Sequence, residues 1–187
     1  QTKGLQIDAL KDMHLETTLV ADGNPTGTIV IGDDPAHGEI AKKIVERVAK
    51  ATGTQLPVTV AEEGEARDLL DQNVVVLGNM ANNPLYRWFY HQWWAIEDLC
   101  YPGEGGYTVR TLHNPLGNGK NAVLLGASDS DGLSRAASRF GDIVKEGDRL
   151  SFGWLMEVVL GPAFADLEAP AEGWLEERRE DYIARAT

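Results

Sequence analysis

Residues 28–60, TIVIGDDPAHGEIAKKIVERVAKATGTQLPVTV, decide the fold. Thr28-Ile29-Val30-Ile31-Gly32 is a short, β-branched apolar run of the kind buried on both faces of a sheet. Asp34-Pro35 then supplies an N-cap and a proline in the first helical position. Ile40, Ile44, Val45 and Val48 recur at helical spacing, and Gly53 provides the stop. Residues 56–60 are a second strand. A strand, a helix and a strand in this order predict two parallel neighbours.

The pattern continues on both sides of this unit. Upstream, residues 16–20 predict a short edge strand and Asn24-Pro25 a turn. Downstream, a short acidic helix over 64–71 leads to Asn73-Val74-Val75-Val76-Leu77-Gly78, the strongest strand in the chain. Asn83-Pro84 starts a helix predicted to run to Leu99. Residues 107–112 and 122–126 read as strands around a hairpin-like loop at 114–120. Asp129 to Asp131 caps a helix bearing Leu133, Ala136, Ala137, Phe140, Ile143 and Val144, and a last strand is expected within 154–160. The sum is an α/β domain over residues 1–160. It has three layers, with a mixed central sheet of about five to seven strands and helices on both faces. Past Gly161-Pro162 the composition turns to Ala, Pro and Glu. Residues 161–187 predict a connector and a charged helix with a thin apolar stripe of Trp174, Leu175, Tyr182 and Ile183, leading toward a further domain.

Composition narrows the partners. The 187 residues suit one domain, and 43% hydrophobic with 25% charged residues is the make-up of a soluble globular chain. No apolar run approaches the roughly 20 residues that cross a bilayer. With 29 acidic against 17 basic residues the net charge is −12, which repels phosphate backbones and anionic membranes. Nucleic acid and membrane are therefore not expected partners. The single cysteine, Cys100, forms no internal disulfide and reads as a buried, inert thiol at the end of the aromatic helix.

Catalytic and cofactor signatures are not found. Gly32 and Gly126 end strands that precede helices, but neither opens G-x-G-x-x-G, and Gly117-Asn118-Gly119-Lys120 lacks the spacing of a P-loop. Asp33, Asp34, Asp129 and Asp131 stand where a phosphate would bind and are better read as helix caps. Asp129-Ser130-Asp131-Gly132 lacks the remaining ligands of a calcium loop. His14, His37, His91 and His113 form no H-x-x-x-H pair, so no metal is expected. Glu97, Asp98 and Glu104 could be nominated as a glycosidase pair, but nothing singles them out. No G-x-S-x-G marks a nucleophilic serine. No cofactor is expected.

The most unusual segment is Tyr86-Arg87-Trp88-Phe89-Tyr90-His91-Gln92-Trp93-Trp94. On a helix, Leu85, Trp88, Phe89, Gln92, Ile96 and Leu99 would meet the sheet, while Tyr86, Tyr90 and Trp94 would form a second stripe. That second stripe asks for a partner. Its rings could stack on sugar faces, with Arg87 or His91 bonding hydroxyls, or they could pack against a neighbouring domain. The adjoining Tyr101-Pro102-Gly103-Glu104-Gly105-Gly106-Tyr107 loop offers Tyr101, Glu104 and Tyr107 as further contacts, or merely turns the chain.

A resemblance rests on the order of short motifs. Gly23-Asn24-Pro25 and Thr28-Ile29-Val30-Ile31 are followed by a helix ending Ala51-Thr52-Gly53-Thr54-Gln55-Leu56-Pro57-Val58. Val74-Val75-Val76-Leu77-Gly78-Asn79, Gly106-Tyr107-Thr108-Val109-Arg110 and Val123-Leu124-Leu125-Gly126-Ala127-Ser128-Asp129-Ser130-Asp131-Gly132 come next. Over about residues 16–160 the chain resembles the N-terminal α/β domain of family 20 hexosaminidases and family 67 α-glucuronidases. Related domains accompany polysaccharide lyases. In those families this domain is non-catalytic, so no catalytic residue carries over. The aromatic helix over 85–99 and the loop after it depart from the pattern.

The resemblance implies a secreted or periplasmic accessory domain. It would pack on the catalytic domain of the same polypeptide and contribute an edge to a glycan cleft. Two other readings stay open: a free-standing carbohydrate-binding module using Tyr86, Tyr90 and Trp94, and a glycan-active enzyme with an unidentified acid/base pair.

Overall fold

The computed structural model describes residues 12–165. The expectations for Trp174, Leu175, Tyr182 and Ile183 lie outside the described residues. A six-stranded sheet in the order β4-β3-β5-β7-β6-β9 forms the centre. Its strands are β3 (Gly27–Ile31), β4 (Val58–Val60), β5 (Asn73–Gly78), β6 (Tyr107–Leu112), β7 (Ala122–Ala127) and β9 (Met156–Val159). β4, β3, β5 and β7 run parallel, while β6 lies antiparallel to both β7 and β9. A smaller antiparallel sheet pairs β1 (Thr17–Ala21) with β2 (Asn24–Pro25) and β8 (Leu150–Phe152). The sequence reading missed β8, a stretch of three residues without a periodic signal.

Local chemistry explains the helices. Asp34 accepts a hydrogen bond from the Ala36 N–H at 2.8 Å to cap α1 (Pro35–Thr52), and Gly53 ends it at φ 75°. Asp129 caps α3 (Ser130–Ile143) through the Gly132 N–H at 2.7 Å. These two helices cover one face with Ile40, Ile44, Val48, Leu133 and Phe140, against Ile29, Val75, Leu77, Val123 and Leu125. α2 (Pro84–His91) and a 3-10 helix, Ala66–Asp71, cover part of the other face with Leu85, Tyr86, Phe89 and Leu70, against Val30, Val74, Val76 and Leu124. The layers are those of an α/β fold with a mixed sheet.

Asn83 does several jobs at the start of α2. Its side-chain oxygen accepts from the Leu85 and Tyr86 N–H groups, and its amide donates to the Leu77 and Val30 carbonyls. One buried residue thus ties the helix to β3 and β5.

The aromatic helix is shorter than its sequence predicts. It stops at His91, and the Trp93 N–H bonds the Tyr90 carbonyl at 3.0 Å while the Trp94 N–H bonds the Phe89 carbonyl at 3.0 Å. That pair is a Schellman ending, with Trp93 at the left-handed position, φ 59°. Beyond it the chain loops back over the sheet.

Candidate functional site

The α2 side of the sheet is only half covered. Side chains alternate along β6, so Thr108 and Arg110 face the α2 side while Tyr107 and Val109 face α3. In register, Val158 of β9 lies beside Thr108 and Met156 beside Arg110, on that same side. No helix among the described residues reaches this far. The segment after α2 partly fills the space.

Two adjacent carboxylates hold that segment down. Glu97 is buried and accepts from the Thr108 hydroxyl at 2.7 Å, the Arg110 guanidinium at 3.1 Å and the Ile96 N–H at 3.0 Å. Burial pushes its carboxyl up, but the Arg110 charge and these hydrogen bonds outweigh burial and hold it below the usual carboxylate range. Arg110 also donates to the Trp94 carbonyl at 2.6 Å. Asp98 accepts from the Cys100 and Tyr101 N–H groups at 2.7 and 2.8 Å and from the Tyr90 hydroxyl at 3.1 Å. Both carboxylates therefore serve as braces of the loop.

Tyr86 sits beneath this network, fully buried, and no hydrogen bond of good geometry reaches its hydroxyl. Burial, followed by the nearby Glu97 charge, pushes the hydroxyl well above its ordinary value, which keeps it neutral. Gly126 on β7 makes room for the cluster. A Cβ there would overlap the Tyr86 hydroxyl and come within 2.6 Å of Glu97 Cγ and 2.7 Å of Thr108 Oγ1.

With the loop fixed this way, its apolar side chains point outward. Trp93 is 87% exposed, Leu99 69% and Ile96 51%. On β9 and its flanks Trp154, Met156, Val158 and Leu160 are exposed as well. Two groups of exposed apolar residues thus flank the buried Glu97–Arg110 pair. Exposed apolar surface of this kind marks contact sites in soluble proteins.

The residues singled out from sequence do not form one site. Tyr86 is in the core, which removes it from any surface stripe. Tyr90 and Trp94 are half-buried, Trp94 standing edge-on to Trp88 at 5.4 Å. Arg87 reaches away to pair with Glu63 and to bond the Met80 carbonyl at 2.9 Å. His91 is exposed beside Glu63, Arg67 and Trp88. Tyr101 packs edge-on against Phe164 at 6.0 Å, and Glu104 is exposed on the following turn. Tyr107 lies on the opposite face, its hydroxyl bonding Glu157 at 3.0 Å under Arg135. Three further expectations are corrected. Gln92, Ile96 and Leu99 do not meet the sheet as part of a helix, because the chain has left helical geometry before them. Tyr86, Tyr90 and Trp94 do not stand in one helical row, for the same reason. Cys100 is exposed, because the loop carries it outward.

The largest concavity lies elsewhere, at the carboxyl ends of β3, β4 and β5. It is an open cleft of about 770 Å³ walled by Asp33, Asp34, Glu62, Glu63, Asn82 and Arg87. Open α/β sheets commonly bind ligands near such a position. Here the chain itself occupies the space between β3 and β5, since a Cβ on Gly32 would overlap the Asn82 carbonyl. Among the described residues no group of three or more His, Cys, Asp or Glu side chains is arranged to hold a metal. Compared with known proteins, the chain matches no family model and no curated protein.

Proposed function

We propose that this chain is a non-catalytic accessory domain of a secreted or periplasmic polysaccharide-degrading enzyme, packing through its uncovered sheet face on the catalytic module. The observation that carries the reading is that face, with Trp93, Ile96 and Leu99 on the loop and Met156 and Val158 on β9. The backbone adds support. Trp93 occupies a left-handed position where glycine would sit without strain, and an L-residue there costs roughly 1–2 kcal/mol. A large, exposed, strained aromatic residue makes physical sense when a partner covers it. The resemblance to the accessory domains of hexosaminidases and α-glucuronidases supplies the partner's class, and the use of Glu97 and Asp98 as loop braces agrees with a non-catalytic role.

A carbohydrate-binding module would instead present its rings to sugar. Its proposed platform needs Tyr86 at the surface, whereas Tyr86 is fully buried. The test is a glycan-array and turnover assay on the isolated chain, with Trp93→Ala and Trp94→Ala alongside. The expected result is neither specific binding nor hydrolysis or elimination of any glycan. Specific binding abolished by either substitution, in a variant that melts normally, would replace the accessory reading with the binding module.

A further inference from the structure

The edge of β9 is a different surface from the face just described, and it carries an inference of its own. β9 ends the six-stranded sheet. Leu155 and Gly161 bond inward, through the Thr111 N–H to the Leu155 carbonyl at 3.1 Å and the Gly161 N–H to the Pro102 carbonyl at 2.8 Å. Backbone groups alternate in direction along an antiparallel strand. The N–H and C=O groups of Met156 and Val158 therefore face away from β6, toward the open edge. Their side chains are exposed too, so both hydrogen-bonding and apolar surface are presented together.

Proteins ordinarily blunt such an edge. The other edges here carry recognisable devices. β4 has three residues and opens onto the cleft with Glu62 and Glu63. β2 has two residues, one of them Pro25, and the three-residue β8 follows charged Asp148 and Arg149. β9 has no proline and no lysine. Its only charge, Glu157, points to the α3 side, where Arg139 holds it at 2.8 Å and the Tyr107 hydroxyl at 3.0 Å.

We infer that β9 pairs antiparallel with β9 of a second copy of this chain about a two-fold axis at Val158, joining the two central sheets into one. This register is self-complementary, as an isologous interface requires. Val158 stands opposite its own copy, and Met156 stands opposite the partner subunit's Leu160. Glu157 stands opposite the partner subunit's Val159, so the two carboxylates are not brought face to face. The rows of apolar side chains then continue from one copy into the next, and the sheet face remains open for a third component. Edge pairing by strand addition is a standard mode of association.

The experiment is sedimentation velocity on the full chain over a roughly hundred-fold dilution, because self-association depends on concentration. The wild-type chain is expected to dimerise, with the dimer fraction falling on dilution. Val158→Lys and Val158→Asp each place like charges opposite one another across the axis and should be monomeric throughout. Their thermal melts should stay near wild type, since Val158 is 42% exposed. An equimolar mixture of the two variants should recover the dimer, as opposite charges now meet at the axis. A monomeric wild-type chain, a dimer indifferent to both substitutions, or variants that stay monomeric when mixed would each overturn the pairing. None of these outcomes bears on whether the face packs on a catalytic module.

Discussion

Arg110→Ala is expected to destabilise the chain by about 3–5 kcal/mol at neutral pH, the cost of stripping the partner from a buried ion. Glu97 is buried with only 1% of its side chain exposed, and Arg110 is the one cation against it. Removing the guanidinium also leaves the Trp94 carbonyl without its donor at 2.6 Å. The pH dependence follows from the direction of the Glu97 shift. Its carboxyl is held below the ordinary value in the folded chain, so the pair stabilises the fold above the unfolded carboxylate range near pH 4.3. That contribution is lost as pH falls through the lower, folded value. In Arg110→Ala the pair is already gone, so the two melting curves should converge on acidification. Thermal or urea melts across pH 7 to 3 read both the size and the convergence. A variant as stable as wild type at neutral pH would show that the pair is not what holds the loop.

Gly126→Ala should be the second severe change. The added methyl would meet the Tyr86 hydroxyl, Glu97 Cγ and Thr108 Oγ1, none of which has space to withdraw, because Tyr86 and Thr108 are buried and Glu97 is held by Arg110. Overpacking in a filled core costs about 1–3 kcal/mol, and displacing Glu97 from Arg110 adds to it. The readable outcome is a lower melting temperature together with a change in Trp fluorescence, since Trp93 and Trp94 ride on the loop that Glu97 anchors. A variant with wild-type melting and unchanged emission would contradict the packing described here.

Much of the fold is legible in the sequence because its signals are local. Asp34-Pro35, Gly53, Asn83-Pro84 and Asp129 mark the helix ends where the structure places them, and the apolar runs at 28–31, 74–77 and 122–125 mark the parallel core. The extent of the aromatic helix is not legible. Leu85, Trp88, Phe89, Ile96 and Leu99 keep helical spacing past the point where the chain turns. What breaks the pattern is a tertiary partner, Arg110, lying on a strand and drawing Glu97 down to the sheet. The ending itself has no glycine to announce it, because Trp93 takes the left-handed position.

The candidate face was hidden for a related reason. Residues 154–160, WLMEVVL, are apolar at both parities, so alternation did not show which row would be buried. Only the pairing of β9 with β6 assigns Met156 and Val158 to the side that α2 leaves open. Reading Tyr86, Tyr90 and Trp94 as one stripe carried the same assumption of a continuous helix.

Hydroxyl-radical footprinting at Trp93 and Leu99, comparing the isolated chain with the chain joined to its catalytic module, tests the central claim most directly. Both side chains should oxidise readily in isolation, being 87% and 69% exposed, and both should be strongly protected when the module is present. Equal oxidation in the two states would contradict the account and leave the sheet face without the partner proposed for it.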